Sequence, residues 1–291
     1  LRKQLKPALD LAFGDTGQFI ELSPADDHSS RGLKGLRMNT GKALAHAGKV
    51  PAVTLGFWII KILATTLGET GGDTLSMSWH LGYAQSTLIF ACLFIALVSA
   101  QILTGRYSPA LYWAVIVATT LTGTTIADFC DRSLGIGYVG GSALLFACVL
   151  LSLAAWRLAI GRISFGAFAS RREEAFYWLT ILASNTLGTA LGDLTSDDSG
   201  MGYLGSAAFF MALLVILAAL YWRRALAPVL LFWSAFVLTR PLGATLGDFL
   251  TKPVAHGGLD LSRPLASAAL AMVIALGIAA FARAPRRPAM A

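Results

Sequence analysis

From Pro51 onward the chain alternates long apolar runs with short polar joints. The runs cover approximately 53–72, 82–104, 109–127, 138–160, 174–192, 203–222, 227–247 and 264–282. At 1.5 Å per residue, about 20 residues of α-helix cross a bilayer core of about 30 Å. The period-two alternation of a membrane barrel is absent from these runs. The pattern therefore predicts an all-α, polytopic membrane bundle of eight transmembrane helices.

A second periodicity lies over the first. Trp58, Trp113, Trp178 and Trp233 each have a glycine ten residues on (Gly68, Gly123, Gly188, Gly243). Fifteen residues on stands an aspartate (Asp73, Asp128, Asp193, Asp248), and Tyr83, Tyr138 and Tyr203 follow the first three aspartates by ten. Such self-similarity marks a repeat architecture. The tryptophans are 55, 65 and 55 residues apart, so two doublets are joined by a longer connection. The units run about 51–105, 106–160, 171–225 and 226–282. Each holds two helices, so every unit re-enters the membrane in the same direction and the repeats are parallel. The Trp-to-Asp helix of each unit is here the A helix and its partner the B helix.

Charge fixes the expected orientation. The net charge is +7, and eighteen of the 23 Lys and Arg lie in the joints before the A helices or in the termini. Three (Arg132, Lys252, Arg263) follow the A helices, beside Asp131, Asp197, Asp198 and Asp260. The positive-inside rule puts both termini in the cytoplasm. Basic residues confined to such joints signal topology and no nucleic-acid partner. Only 13% of residues are charged, about half the soluble norm, so a water-solvated globular fold is excluded. Cys92, Cys130 and Cys148 make an odd set that builds no disulfide framework.

Residues 1–50 are polar and mixed in charge, with too little apolar surface to order a core. They read either as a cytoplasmic tail or as a stretch upstream of a true start at Met38. Residues 283–291 form a short basic cytoplasmic tail.

At 100° per residue, the positions at Trp, +3, +7, +10, +11, +14 and +15 share one face of each A helix. The +3, +7, +11, +15 stripes read Lys61, Thr65, Glu69, Asp73; Ile116, Thr120, Thr124, Asp128; Ile181, Asn185, Thr189, Asp193; and Phe236, Arg240, Ala244, Asp248. Charge at membrane depth costs about 3 kcal/mol or more per group, so these stripes face one another or a hydrated cavity. The glycines at +10 permit either close helix packing or, with Pro241 in the fourth unit, hinges in broken helices that line a pathway. The tryptophans serve as interfacial anchors at the inner surface or as packing aromatics.

The aspartates also admit two readings. They lie about 22 Å along the axis from the tryptophans, where they are solvated or cap a following turn. Alternatively they bind an ion, which offsets the unfavourable meeting of a carboxylate with a helix C-terminus. Within the A helices Lys61 and Arg240 face five carboxylates, Glu69 and the four aspartates. The cheapest arrangement pairs Glu69 and one or more aspartates with Lys61 and Arg240. The remaining negative charge calls for a cation or for protons, and oxygen donors suit hard ions such as Mn²⁺, Mg²⁺ or Ca²⁺.

No zinc-binding His pair, Walker loop or nucleophile elbow is present, which argues against an enzyme. His80 and His256 fall in outer loops without ligand spacing. Four two-helix units with one tryptophan each (Trp58, Trp113, Trp178, Trp233) resemble a family of bacterial integral membrane proteins, described as membrane-anchored and built from a repeat of unknown function. The resemblance covers about 51–282 and implies a multi-pass protein of the bacterial inner membrane.

The expected function is transport of a small inorganic cation, Mn²⁺ first, with proton coupling through Glu69 as a further use. Glu69, Asp73, Asp128, Asp193 and Asp248 would be the ligands, with Asn185, Thr120, Thr124 and Thr189 along the pathway. Lys61 and Arg240 would balance charge or gate, and no cofactor is expected. The alternative is a non-transporting structural or partner-binding membrane protein whose buried charges are paired.

Overall fold

A computed structural model describes residues 49–104, 107–163 and 168–283. The sequence readings for residues 1–48, Met38 included, and for 284–291 lie outside the described residues. The described chain is all-α, with eight long helices: α1 (Leu55–Asp73), α2 (Gly82–Leu103), α3 (Pro109–Asp128), α4 (Gly137–Ile160), α5 (Arg171–Asp193), α6 (Gly202–Trp222), α7 (Pro228–Thr251) and α8 (Arg263–Arg283). Their bounds follow the apolar runs closely. Six are long and apolar enough to cross a membrane, whereas α1 and α5 are not. Those two carry Lys61 and Glu69, and Arg171, Arg172, Glu173 and Glu174, respectively.

Local signals begin and end the A helices. The hydroxyls of Thr54, Ser108 and Ser170 accept from the third backbone N–H beyond them at 3.3, 3.4 and 3.1 Å, while α7 opens on Pro228. Each cap satisfies a donor that the first turn leaves open. At the far end the first three A helices stop at their aspartates and pass into one π-helical turn, Thr74–Ser78, Phe129–Ser133 or Leu194–Asp198. Each joint then bends through left-handed residues, Gly135 and Gly137 in the second and Gly200 and Gly202 in the third. Glycine adopts that conformation without a Cβ penalty. The fourth A helix instead stays helical to Thr251.

The A helices form a closed ring in the order α1, α3, α5, α7 and back to α1. The B helices stand outside, and each packs against the A helix of the following unit: α2 on α3, α4 on α5, α6 on α7, and α8 on α1. The last unit thus covers the first. The outer wall is greasy, with Leu88, Leu93, Phe146, Leu151, Val215 and Met272 exposed. The polar side chains of the A stripes are buried inside. This inversion of the soluble pattern fits a lipid surround, where apolar surface gains nothing by burial.

Small residues let the ring close tightly. The +10 glycine of each unit receives the +7 residue of the next: Gly68 meets Thr120, Gly123 meets Asn185, Gly188 meets Arg240, and Gly243 meets Thr65. A Cβ on Gly68 would stand 3.0 Å from the Thr120 carbonyl carbon, and one on Gly123 3.0 Å from the Thr186 nitrogen. One turn further out, Gly72 packs on Thr124, Gly192 on Ala244 and Gly247 on Glu69. Close packing is therefore the role of these glycines. The hinge reading fails, because all four A helices run unbroken to their aspartates and α7 continues through Pro241.

The tryptophans sit at the opposite end of the ring, where Trp113, Trp178 and Trp233 are buried and Trp58 is half-buried. They are packing aromatics. Each contacts the aromatic residue that precedes the tryptophan of the unit before it. Ring centroids are 5.4 Å for Phe57–Trp113, 5.5 Å for Tyr112–Trp178, 5.8 Å for Tyr177–Trp233 and 6.0 Å for Phe232–Trp58. Edge and tilted contacts of this kind add to the area they bury.

Candidate functional site: a buried column of paired charge

The four stripes meet inside the ring as stacked layers. Innermost are Lys61, Ile116, Ile181 and Phe236, then Thr65, Thr120, Asn185 and Arg240. Beyond them come Glu69, Thr124, Thr189 and Ala244, and finally the aspartates. All of them are buried. The predicted inward placement of the stripes holds. The aspartates are neither solvated nor capping: each is at most 1% exposed, and none of Asp73, Asp128 and Asp193 makes a side-chain cap to its π turn.

Arg240 rises from its own layer into the next. Its guanidinium donates to Glu69 Oε2 at 3.2 and 3.3 Å, to Thr65 O at 3.4 Å, and to the hydroxyls of Thr124 and Thr189. Lys61 likewise reaches outward by one layer, but it does not meet a carboxylate as expected. It donates to Asn185 Oδ1 at 3.3 Å and lies 4.1 Å from the centre of the Phe236 ring. Asn185 is held for that contact by its own amide, which donates to Thr119 Oγ1 at 2.8 Å.

The aspartates find partners that the stripes did not contain. Arg132 joins Asp128 at 3.2 Å to Asp193 at 3.4 Å, and Lys252 joins Asp248 at 3.2 Å to Asp73 at 3.6 Å. Arg263 adds a second contact to Asp73 at 3.5 Å. Arg132 and Lys252 each stand four residues beyond the aspartate of their own unit and bridge to the unit that follows. The clasps obey a pseudo-twofold pattern, second unit to third and fourth to first. This i, i+4 spacing of acid and base was the sequence signal that would have found them. Burial alone would lower the Lys252 ammonium, but Asp248 and Asp73 beside it hold it well above the ordinary lysine value. Its charge therefore persists throughout the physiological range.

The surplus of negative charge counted within the A helices is thereby cancelled. Lys61, Arg240, Arg132, Lys252 and Arg263 stand against Glu69 and the four aspartates, five charges of each sign. Geometry nevertheless leaves oxygens over. Asp73 Oδ1, Asp128 Oδ2 and Asp193 Oδ1 are buried without a hydrogen-bond partner. Glu69 belongs to two groups in which one oxygen per residue lies within 4.8 Å of the others, Glu69–Asp73–Asp128 and Glu69–Asp193–Asp248. An all-oxygen set of that spread suits a hard cation. His80 and His256 are exposed and belong to neither group.

Aromatic groups frame the outer clasp. Tyr83 and Tyr138 accept from Arg132 at 3.0 and 3.3 Å with their rings 5.9 and 5.8 Å from its guanidinium carbon, and the Tyr138 hydroxyl donates to Asp197 at 3.1 Å. The recurring tyrosines thus fix one of the two bridges.

No curated protein and no solved structure matches the chain. The family model described as Repeat of Unknown Function (DUF347) matches residues 56–107, 111–160, 176–226 and 231–287. Every match opens two residues before a repeat tryptophan, so its units coincide with those read from the Trp, Gly and Asp spacing. The chain belongs to the DUF347 family and carries that repeat four times in tandem.

Proposed function

We propose that this protein is a non-enzymatic, multi-pass transporter of a small inorganic cation, with Mn²⁺ as the first species to test and protons as the coupled ion. All eight long helices cross the bacterial cytoplasmic membrane, with both termini inside and the aspartate end outside. The ion enters between the clasps of Arg132 and Lys252, takes the place of a basic partner on the aspartates, and passes to Glu69. The observation that carries this reading is Glu69 itself, shared by two buried carboxylate groups on four helices. The unpartnered aspartate oxygens support it. A carboxylate that loses its guanidinium partner must gain another positive charge, because an unpaired buried charge is strongly destabilising.

The test is uptake of Mn²⁺ by liposomes containing the full chain, compared with Glu69→Gln and Asp193→Asn. Uptake above protein-free liposomes that falls in both variants is expected. Uptake no faster than in protein-free liposomes refutes transport of that ion.

A second reading has its own observation. Five basic groups stand against five carboxylates, four of them in direct contact, a balance that suits a structural or partner-binding membrane protein. A crystal soaked in Mn²⁺ that gives no anomalous signal beside Glu69 would favour it.

A further inference from the structure

The fourth unit departs from the other three at two neighbouring positions. At +7, where they carry Thr65, Thr120 and Asn185, it has Arg240. At +11, where they carry Glu69, Thr124 and Thr189, it has Ala244. The departures fit together. The short Ala244 side chain leaves its quarter of the layer open, and the guanidinium of Arg240 enters from one turn further in.

The other three quarters are set to receive a cation before Arg240 is considered. The Thr124 hydroxyl has one proton to share among Gly68 O and Thr120 O, each at 3.1 Å, and Glu69 Oε2 at 3.4 Å. Thr189 gives its proton to Asn185 O at 3.5 Å. A hydroxyl carries one proton and two lone pairs, so these commitments leave lone pairs for the axis. Glu69 supplies the charge, and Thr65 O adds a backbone acceptor at 3.4 Å from the guanidinium. One layer inward the arrangement recurs with a different cation, as Asn185 Oδ1 receives the Lys61 ammonium. Charge neutralisation of Glu69 needs only one contact. Acceptors converging from three helices define a binding cage. The Nε of Arg240 is buried without a partner, so the side chain is held by its two terminal nitrogens, the end that a free guanidinium shares.

We infer that this layer is a binding site for a guanidinium-class cation, one with several N–H donors, and that Arg240 is its tethered occupant. The chain carries its own ligand and is held closed by it. Nothing in the inference requires Mn²⁺ transport, so the two stand or fall separately.

The experiment uses the full chain in detergent and in liposomes. Arg240→Ala empties the cage without touching Glu69, Thr124 or Thr189. Millimolar guanidinium chloride should raise its melting temperature by about 5 °C, through binding to the folded state alone. The same concentration of tetramethylammonium, which has no N–H donor, should not. Labelled guanidinium should be retained about tenfold more by the variant than by the parent chain, whose site is filled. Equal retention by variant and parent, or equal stabilisation by both cations, overturns the inference. If Arg240→Ala gives no folded protein alone, guanidinium present from membrane extraction onward should restore it, and failure to do so also overturns the inference.

Discussion

Replacing Gly243 by alanine asks whether close contact between neighbouring A helices holds the ring together. A Cβ there would lie 2.5 Å from Thr65 Cβ and 2.9 Å from the Thr65 carbonyl carbon. Carbon atoms rest about 3.5–4.0 Å apart, so α1 and α7 must separate by about 1 Å. Backbone stands on one side and on the other a side chain whose one hydroxyl proton is surrounded by the carbonyl oxygens of Lys61, Ile62 and Thr239, so neither can swing away. Overpacking of this kind costs about 1–3 kcal/mol. The separation also stretches the Thr65 hydroxyl contact to Thr239 O, now 3.1 Å, at a further cost of about 1 kcal/mol. Alanine recovers about 1 kcal/mol through its better helix propensity. The net expectation is a loss of about 1–3 kcal/mol. Gly277 on α8 supplies the control, because a Cβ there would meet Ile60 at an ordinary 3.6 Å. Gly277→Ala should be neutral or stabilising. Both glycines lie within helices, so propensity cancels when the two are compared. Equilibrium unfolding in mixed detergent micelles measures the difference, expected at about 2–4 kcal/mol. Equal stability of the two variants would refute the interlocked ring.

Two further outcomes follow from the charges and the orientation. Glu69→Gln leaves the Arg240 guanidinium buried without its carboxylate and should cost about 3–5 kcal/mol, most of it recovered when Arg240→Met is added; simple additivity in that cycle would show that the two groups act independently. In a chain whose Cys92, Cys130 and Cys148 are replaced by serine, Ser199→Cys should react with an impermeant maleimide added to intact cells, and Arg224→Cys only after permeabilisation. The reverse pattern would overturn the cytoplasmic placement of both termini.

Most of the fold was legible in the sequence. Helix bounds follow apolar runs because length and hydropathy decide them. The inward face follows from the Trp, Gly and Asp spacing because charge cannot face lipid. The pairing of charges was less legible. Counting charges within the A helices missed Arg132 and Lys252, since the first three A helices pass into a π turn and the fourth stays helical past its aspartate. That continuation folds the residue at +19 back over the aspartate ring. Lys61 was expected on a carboxylate, yet Asn185 lies nearer, a matter of which helices are neighbours. Ring order also hid the aromatic belt. Phe57, Tyr112, Tyr177 and Phe232 precede the four tryptophans in plain view, but their role emerges only when each unit is set against the next.

The partnership of Glu69 with Arg240 joins positions 171 apart. A ribosome adding about 5–20 residues each second needs roughly 10–30 s to make that stretch. During that interval Lys61 and Glu69 have been made and the guanidinium has not. The same helix also awaits its outer cover, α8, which follows α7 along the chain. Closure of the ring therefore follows synthesis of the fourth A helix, and until then Glu69 on the first has no guanidinium to receive it.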